Sequence, residues 1–339
     1  MKKLYLKDIA HQLNVSKTTV SLVLNNKGDE NKISKETQNR ILEFARKHNY
    51  KPNQLARGLS LGKSETIGLI VPDISDIFYA RIASCVEKKA KEFGYNVVFS
   101  SSNESPETEQ ELIRTMLNRQ VDGLIIASTQ QNAADIEQLK QSSFPFVLID
   151  RHYPEIETNY VLVDNYKGVK LATEHLYNNG RRCIGFVSLH PQLEAIRQRL
   201  RGYKETLESL GLKPEKAFIK ELDKETHKTA MKKAIFELVS KPVSVDAIVF
   251  STHYLTSMGL RELRALGKNV PKDVAIVSFD EMSAFDLVDP PITSILQPFN
   301  DIGNLAVECL FKEMKNKMVK IDHQHILEVE LLIRKSCGS

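Results

Sequence analysis

The sequence predicts an α/β protein in which a small helical N-terminal module precedes a larger body of parallel sheets flanked by helices. Three observations carry this. The first 25 residues contain two short apolar-patterned segments around a tight turn. Residues 1–63 hold 13 Lys and Arg against 5 Asp and Glu, while the other 276 hold 34 against 38, so the net +4 of the chain conceals a basic end of +8. After Gly62-Lys63-Ser64, short β-branched runs alternate with longer amphipathic ones, the pattern of parallel strands covered on both faces by helices. At 339 residues the chain is also too long for one core.

The first element runs from Leu6 to Leu13. Leu6, Ile9, Ala10 and Leu13 fall at helical spacing and leave Lys7, Asp8, His11 and Gln12 outside. Asn14 tolerates the left-handed backbone that turns a chain out of a helix, and Val15 can plug the gap between two helices. Ser16 is suited to cap a second helix over Lys17 to Leu24, its hydroxyl accepting an amide proton from Thr18 or Thr19. In that helix Val20, Val23 and Leu24 suit the packed side, while Lys17, Thr18, Ser21 and Leu22 face outward. A small polar face beside exposed N-terminal amides fits a DNA major groove. A generic helical hairpin would leave the basic surroundings unexplained. A third helix is expected from the cap Ser34 to about His48, with Ile41, Leu42, Phe44 and Ala45 apolar, and Tyr50-Lys51-Pro52-Asn53 ends it because the residue before proline resists helical geometry.

In the body, Ile67 to Val71, Asn96 to Phe99, Gly123 to Ala127, Phe146 to Ile149, Val161 to Val163, Ile184 to Val187, Ala247 to Phe250 and Val274 to Phe279 read as buried strands. Helices fit between them at about 78–93, 107–119, 166–179, 195–210, 227–239 and 254–266. The C-terminal part of the sequence runs from Ile326 to Ile333 and is followed by Arg334-Lys335-Ser336-Cys337-Gly338-Ser339. Ligands of such sheets bind beyond the carboxyl ends of the strands.

Composition excludes several classes. No apolar run approaches the roughly 18 residues of a membrane span, and Lys7-Asp8 interrupts the start before a signal-peptide core can build, so a cytoplasmic protein is expected. Cys85, Cys183, Cys309 and Cys337 are scattered and read as reduced thiols, buried as small hydrophobes. No phosphate loop, no G-x-S-x-G elbow and no H-x-x-x-H pair on a plausible site helix occurs, and His323-Gln324-His325 falls on a predicted strand. The expectation is therefore a non-enzyme with no cofactor and no metal.

The stretches Leu6-Lys7-Asp8-Ile9-Ala10, Val15-Ser16, Thr18-Thr19-Val20-Ser21, Val23-Leu24-Asn25, Tyr50-Lys51-Pro52-Asn53 and Leu55-Ala56-Arg57-Gly58-Leu59 closely resemble the lactose/galactose repressor family of bacterial transcription regulators. The likeness covers essentially the whole chain. It implies a headpiece over 1–52, a hinge helix and linker over 53–63, and a periplasmic-binding-protein-like body over 64–339. In that body the chain crosses three times between lobe one (about 64–162 and 295–325) and lobe two (about 163–294 and 326–339).

By the resemblance, Ser16, Thr19, Ser21 and Asn25 grip phosphates and Lys17, Thr18 and Leu22 meet bases in the major groove. The hinge residues Asn53, Ala56, Arg57 and Leu59 approach the minor groove, with Leu59 the wedge at the centre of a near-palindromic operator. Leu22 replaces the arginine that most relatives use to read a guanine, so the half-site should differ, with a thymine methyl meeting Leu22. The loop Asn26 to Lys32 is longer than usual, as a surface tolerates.

The resemblance further implies a small-molecule effector between the lobes, a sugar or sugar derivative, with Phe78 and Tyr79 as aromatic platform, Asp150 and Asp280 as hydroxyl acceptors, Arg199 as donor, and Ser128 at another strand end. Thr252-His253 stand where relatives usually have Asn-Asp. His253 could favour an acidic sugar, or be a buried, satisfied histidine. Without a C-terminal leucine heptad a homodimer is expected. The rival readings are a stand-alone sugar-binding protein and a sugar-processing enzyme with a basic appendage.

Overall fold

The computed structural model describes residues 4–50, 62–190, 192–241, 244–315 and 323–338. The chain divides into two compact units, Met1–Ser64 and Glu65–Ser339.

The N-terminal unit is built on three helices, α1 (Leu6–Leu13), α2 (Lys17–Leu24) and α3 (Lys35–Lys47). Asn14 ends α1 in the left-handed region at φ 52° and ψ 48°, and Ser16 caps α2 by accepting the Thr19 amide at 2.9 Å. Ile9, Val20, Val23 and Ile41 form a small closed core, supported by Leu13, Val15, Leu24, Phe44 and Tyr50. Burying each such aliphatic side chain contributes about 1.5–3 kcal/mol, which is a large share of what a module of this size can gather.

The long loop after α2 is more ordered than a merely tolerated insertion. Asp29 accepts from Lys35 Nζ at 2.7 Å and from Gln38 Nε2 at 2.9 Å, and Gln38 also donates to the Ile33 carbonyl at 2.8 Å. These two donors hold the exposed Asp29 carboxyl below its ordinary value. The loop is thereby folded back onto the first turn of α3.

The second unit contains two six-stranded sheets. The first has the order β11-β5-β4-β3-β1-β2, and all its pairings are parallel. Its strands are β1 (Thr66–Val71), β2 (Asn96–Ser101), β3 (Gly123–Ile126), β4 (Phe146–Ile149), β5 (Tyr160–Val163) and β11 (Gln324–Leu327). The second has the order β12-β10-β9-β8-β6-β7, from β6 (Ile184–Leu189), β7 (Ile219–Leu222), β8 (Ala247–Phe250), β9 (Ala275–Phe279), β10 (Thr293–Leu296) and β12 (Glu330–Leu332); only β12 runs antiparallel. Central strands such as Gly123–Ile126 and Ala247–Phe250 are buried along their whole length, as sheets covered on both faces require.

The covering helices are α4 (Ile77–Glu92), α5 (Pro106–Asn118), α6 (Ala133–Gln141) and α11 (Phe299–Lys315) on the first sheet. On the second they are α7 (Asn165–Asn178), α8 (Glu194–Ser209), α9 (His227–Val239) and α10 (His253–Ala265). The six expected body helices and eight expected strands occur within a residue or two of their predicted bounds. Helices α6 and α11 and strands β7 and β10 were not anticipated.

The chain passes between the sheets after β5, after β10 and after β11. The C-terminal run from Ile326 to Ile333 is divided between the two sheets: Ile326 and Leu327 belong to the first, and Glu330 to Leu332 to the second. Likewise Ile295 and Leu296, expected in lobe one, pair in the second sheet, and Val163, expected in lobe two, in the first. Among the described residues, no helix is long and apolar enough to cross a membrane.

Candidate DNA-binding face and inter-lobe site

The first turn of α2 presents Ser16, Lys17 and Thr18 as exposed side chains. Ser16 and Thr19 share a hydroxyl–hydroxyl bond of 2.8 Å, and Asn25 Nδ2 donates to the Ser21 carbonyl at 2.8 Å. These four polar residues are thus fixed by their own helix before any partner arrives. Leu22 is half-buried and does not join the apolar core of the module. Asn53, Ala56, Arg57 and Leu59 lie outside the described residues.

In the body, both sheets reverse their winding beside the first strand of each unit, between β1 and β3 and between β6 and β8. Ligands of doubly wound sheets sit at such points. Six of the eight sequence-predicted cleft residues converge there from loops and helix starts. Phe78 and Tyr79 begin α4 after β1, Asp150 follows β4, Arg199 lies on α8 after β6, His253 opens α10 after β8, and Asp280 follows β9. Asp150 and Asp280 both sit in the left-handed region, at φ 62° and 71°.

On the first lobe, Tyr79 donates its hydroxyl to Asp150 at 2.8 Å, and Phe78 meets Tyr79 and Phe299 edge-on at 4.9 and 5.7 Å. Arg151 grips Glu104 through two bonds of 2.7 Å. On the second lobe, Arg199 is 4% exposed and wholly positioned by its own lobe. It donates to Asn165 and to the Ser251 carbonyl, both at 2.7 Å, and its guanidinium lies 3.6 Å from the Phe279 ring centre. Asp280 accepts from Gln297 Nε2, with Arg199 at 3.9 Å and His253 Nδ1 at 3.7 Å, ion-pair rather than hydrogen-bond distances. Across the cleft, His253 Nε2 stands 3.9 Å from Asp76 of the first lobe.

The electrostatics follow from this crowding. Burial works against a charged His253 ring, but the Asp280 and Asp76 carboxylates outweigh it and raise its pKa. Burial would equally raise Asp280, and His253, Arg199 and Gln297 reverse it, so its carboxyl is held below the ordinary value. Asp150 is paired with Arg151 at 3.5 Å and Asp76 faces His253, but at both positions burial outweighs the cations and pushes the carboxyl up.

Among the described residues, five buried side-chain atoms lack a hydrogen-bond partner; Thr158 Oγ1 and Thr206 Oγ1 lie elsewhere, while His253 Nδ1, Gln297 Oε1 and Ser251 Oγ belong to residues grouped around Asp280 and Arg199. Buried polar atoms are nearly always satisfied, so this concentration points to a polar molecule that completes them. The lobes also bond directly: Arg81 donates to Ser283 at 2.9 Å and the Glu194 amide to Gln130 at 2.8 Å. A groove of about 620 Å³ lined by Arg264, Lys268, Pro271, Asp289 and Lys335 lies elsewhere on the second lobe and includes none of these residues. Unsatisfied polar groups, rather than hollow volume, locate the site.

Two predicted residues take other roles. Ser128 is fully buried and donates to Glu109 at 2.8 Å while bonding the Tyr153 hydroxyl, so its hydroxyl is spent inside lobe one. Thr252 caps α10 by accepting the Leu255 amide. Sequence reading missed Asp76, Asn165 and Gln297, which are lone polar residues without a motif. Their only mark is that each flanks a strand end or a crossing.

Residues 5–53 match the family model of bacterial regulatory proteins of the lacI family, and residues 173–337 that of a periplasmic binding protein-like domain. Catabolite control protein A of Priestia megaterium is 33% identical over 314 residues, covering 92% of this chain and 93% of that protein. The chain belongs to the lacI family. The ribose operon repressor of Halalkalibacterium halodurans is 30% identical over 331 residues, covering 98% and 96% of the two chains. Among solved structures, the lac repressor dimer bound to operator and the anti-inducer ONPF superimposes over the full length of both chains with a TM-score of 0.88 at 23% identity, a likeness of fold. This lacI-family chain thus joins a DNA-binding helix-turn-helix unit to a periplasmic-binding-type effector domain.

Proposed function

We propose that this lacI-family protein is a homodimeric cytoplasmic repressor that binds a near-palindromic operator and is controlled by a small neutral polyhydroxy effector between its lobes. The observation that carries the effector reading is the cluster of unsatisfied buried atoms around Asp280, facing the aromatic and carboxylate groups of the first lobe. Sugars need this mixture of convergent polar groups and an apolar platform. An acidic sugar is disfavoured. Asp76, Asp150 and Asp280 flank the site, while Arg151 is paired with Glu104 and Arg199 and His253 already face Asp280, so an anion would meet three carboxylates against two cations.

Dimerisation is supported by an exposed apolar strip on the open edge of the first sheet. It comprises Val98 and Phe99 on β2 and Ile74, whose amide is bonded to Ser101 at the end of that strand. Exposed apolar side chains at an unpaired sheet edge suit association.

The test is a thermal-shift screen of neutral sugars and hexuronates on the full chain, paired with selection of genomic fragments by the same protein. An intact site at 100 times its dissociation constant stabilises by about 2.7 kcal/mol, and Arg199→Ala should abolish that shift. A preference for hexuronates would reverse the charge argument. Loss of operator selection on deletion of residues 1–62, with effector binding retained, separates a regulator from an enzyme or a transport component.

A further inference from the structure

We propose that Cys309, His323 and His325 form a site for a borderline-soft divalent cation of the zinc class, binding helix α11 to strand β11. One ligand atom from each of the three lies within 4.8 Å of the other two. Cys309 is 1% exposed on the inner face of α11. His325 lies on the edge strand β11 and His323 immediately precedes it, with the exposed Gln324 between them, so the alternation of extended chain sets both imidazoles on the same side. Their rings are parallel within 5°, with centres 6.3 Å apart.

Zinc–sulfur bonds of about 2.3 Å and zinc–nitrogen bonds of about 2.0–2.1 Å bring tetrahedral ligand atoms to roughly 3.3–3.6 Å from each other. Closing the group therefore requires side-chain shifts of about 1 Å, within the reach of χ rotations. One thiolate and two imidazoles select zinc, cobalt or copper over calcium and magnesium, which demand oxygen. Binding releases the thiol proton to solvent as the sulfur–metal bond forms, and three protein ligands leave a fourth position for water.

The surroundings hold the strand in place for this. Asn159 Oδ1 accepts the His323 amide at 3.2 Å, and its Nδ2 donates to Glu313 at 3.3 Å, one turn along α11 from Cys309. β11 pairs in register with β5 through His325 and Val161. The site stands at the opposite edge of the sheet from β2, immediately before the third passage of the chain between sheets, and the argument for it is independent of the effector reading.

The test is titration of the untagged, chelator-treated full-length chain with Co²⁺, followed by absorption. One equivalent should produce tetrahedral d–d bands and a thiolate-to-cobalt charge-transfer band, both abolished by Zn²⁺. Cys309→Ser should remove the charge-transfer band, and Cys85→Ser with Cys183→Ser should leave it intact. Should Cys309→Ser not fold by circular dichroism, His325→Gln serves in its place: half-buried and on an edge strand, it should weaken cobalt binding at least tenfold. A folded wild-type chain that gives no charge-transfer band overturns the proposal, as does a band that survives Cys309→Ser or an affinity unchanged in His325→Gln.

Discussion

At the scale of single residues, the cleft is governed by the contest between burial and charge at His253 and Asp280. A histidine whose folded pKa exceeds its ordinary 6.5 binds its proton more tightly in the native state. Its stabilising contribution is complete below that ordinary value and is lost as pH rises through the folded value. Asp280 has the opposite sign: held below its ordinary 3.8, it stabilises above that pH and ceases to do so only as acid protonates it. The pair is therefore most stabilising in mildly acidic to neutral solution. The difference in unfolding free energy between the wild type and His253→Asn, measured by denaturant titration at a series of pH values, should shrink as pH rises from 6.5 through the raised value. A difference independent of pH would mean that the folded ring binds its proton no more tightly than the unfolded chain does. These two residues were visible in the sequence because each follows a buried strand. Asp76 and Gln297 were not, since an isolated polar residue acquires meaning only from what faces it across the gap. Ser128 shows the converse, a strand-end position whose side chain turns inward to Glu109.

At the scale of elements, the anchor of the second lobe depends on how closely α7 and α8 approach. Gly202 of α8 sits where a Cβ would come within 2.5 Å of the Tyr166 carbonyl oxygen of α7, a backbone atom that cannot swing aside. Arg199 lies one turn before this glycine and Asn165 opens α7, so the same contact sets the 2.7 Å bond between them. Gly202→Ala should destabilise the body by about 1–3 kcal/mol in thermal or denaturant unfolding, and weaken effector affinity together with it. Unchanged affinity in a destabilised variant would show that the anchor survives a wider spacing. Buried parallel strands were legible because both their faces are apolar. The edge strand β7, with Lys220 and Glu221 in a four-residue run, offers no such pattern. The division of the run ending at Ile333 between two sheets was not legible, because periodicity carries no information about which sheet a strand joins. Helix α11 buries Ile302, Ala306, Val307 and Leu310, a helical spacing present in the sequence but not exploited.

At the scale of the whole molecule, charge is segregated: +8 in residues 1–63 and −4 in the remainder. The basic end supplies phosphate contacts whose neutralisation releases counterions, and the acidic remainder adds none. Operator affinity should therefore fall steeply with salt, by a factor of about 10³–10⁵ between 50 and 200 mM for a dimer making 6–10 phosphate contacts, as followed by fluorescence anisotropy. A flat dependence would remove phosphate contact as the main source of affinity. The division into reader and sensor was legible from this asymmetry and from the change in periodicity after Ser64. The chemistry of the effector was legible only as a class, because the carboxylates that disfavour an anion come from distant parts of the chain.

Gln297 stands on the second passage between the sheets, and its amide is already committed to Asp280. An incoming hydroxyl that claims this carboxylate must either share it with Gln297 or evict it. On the proposed effector reading, occupancy would register as an exchange of partners on the segment that ties the two sheets together.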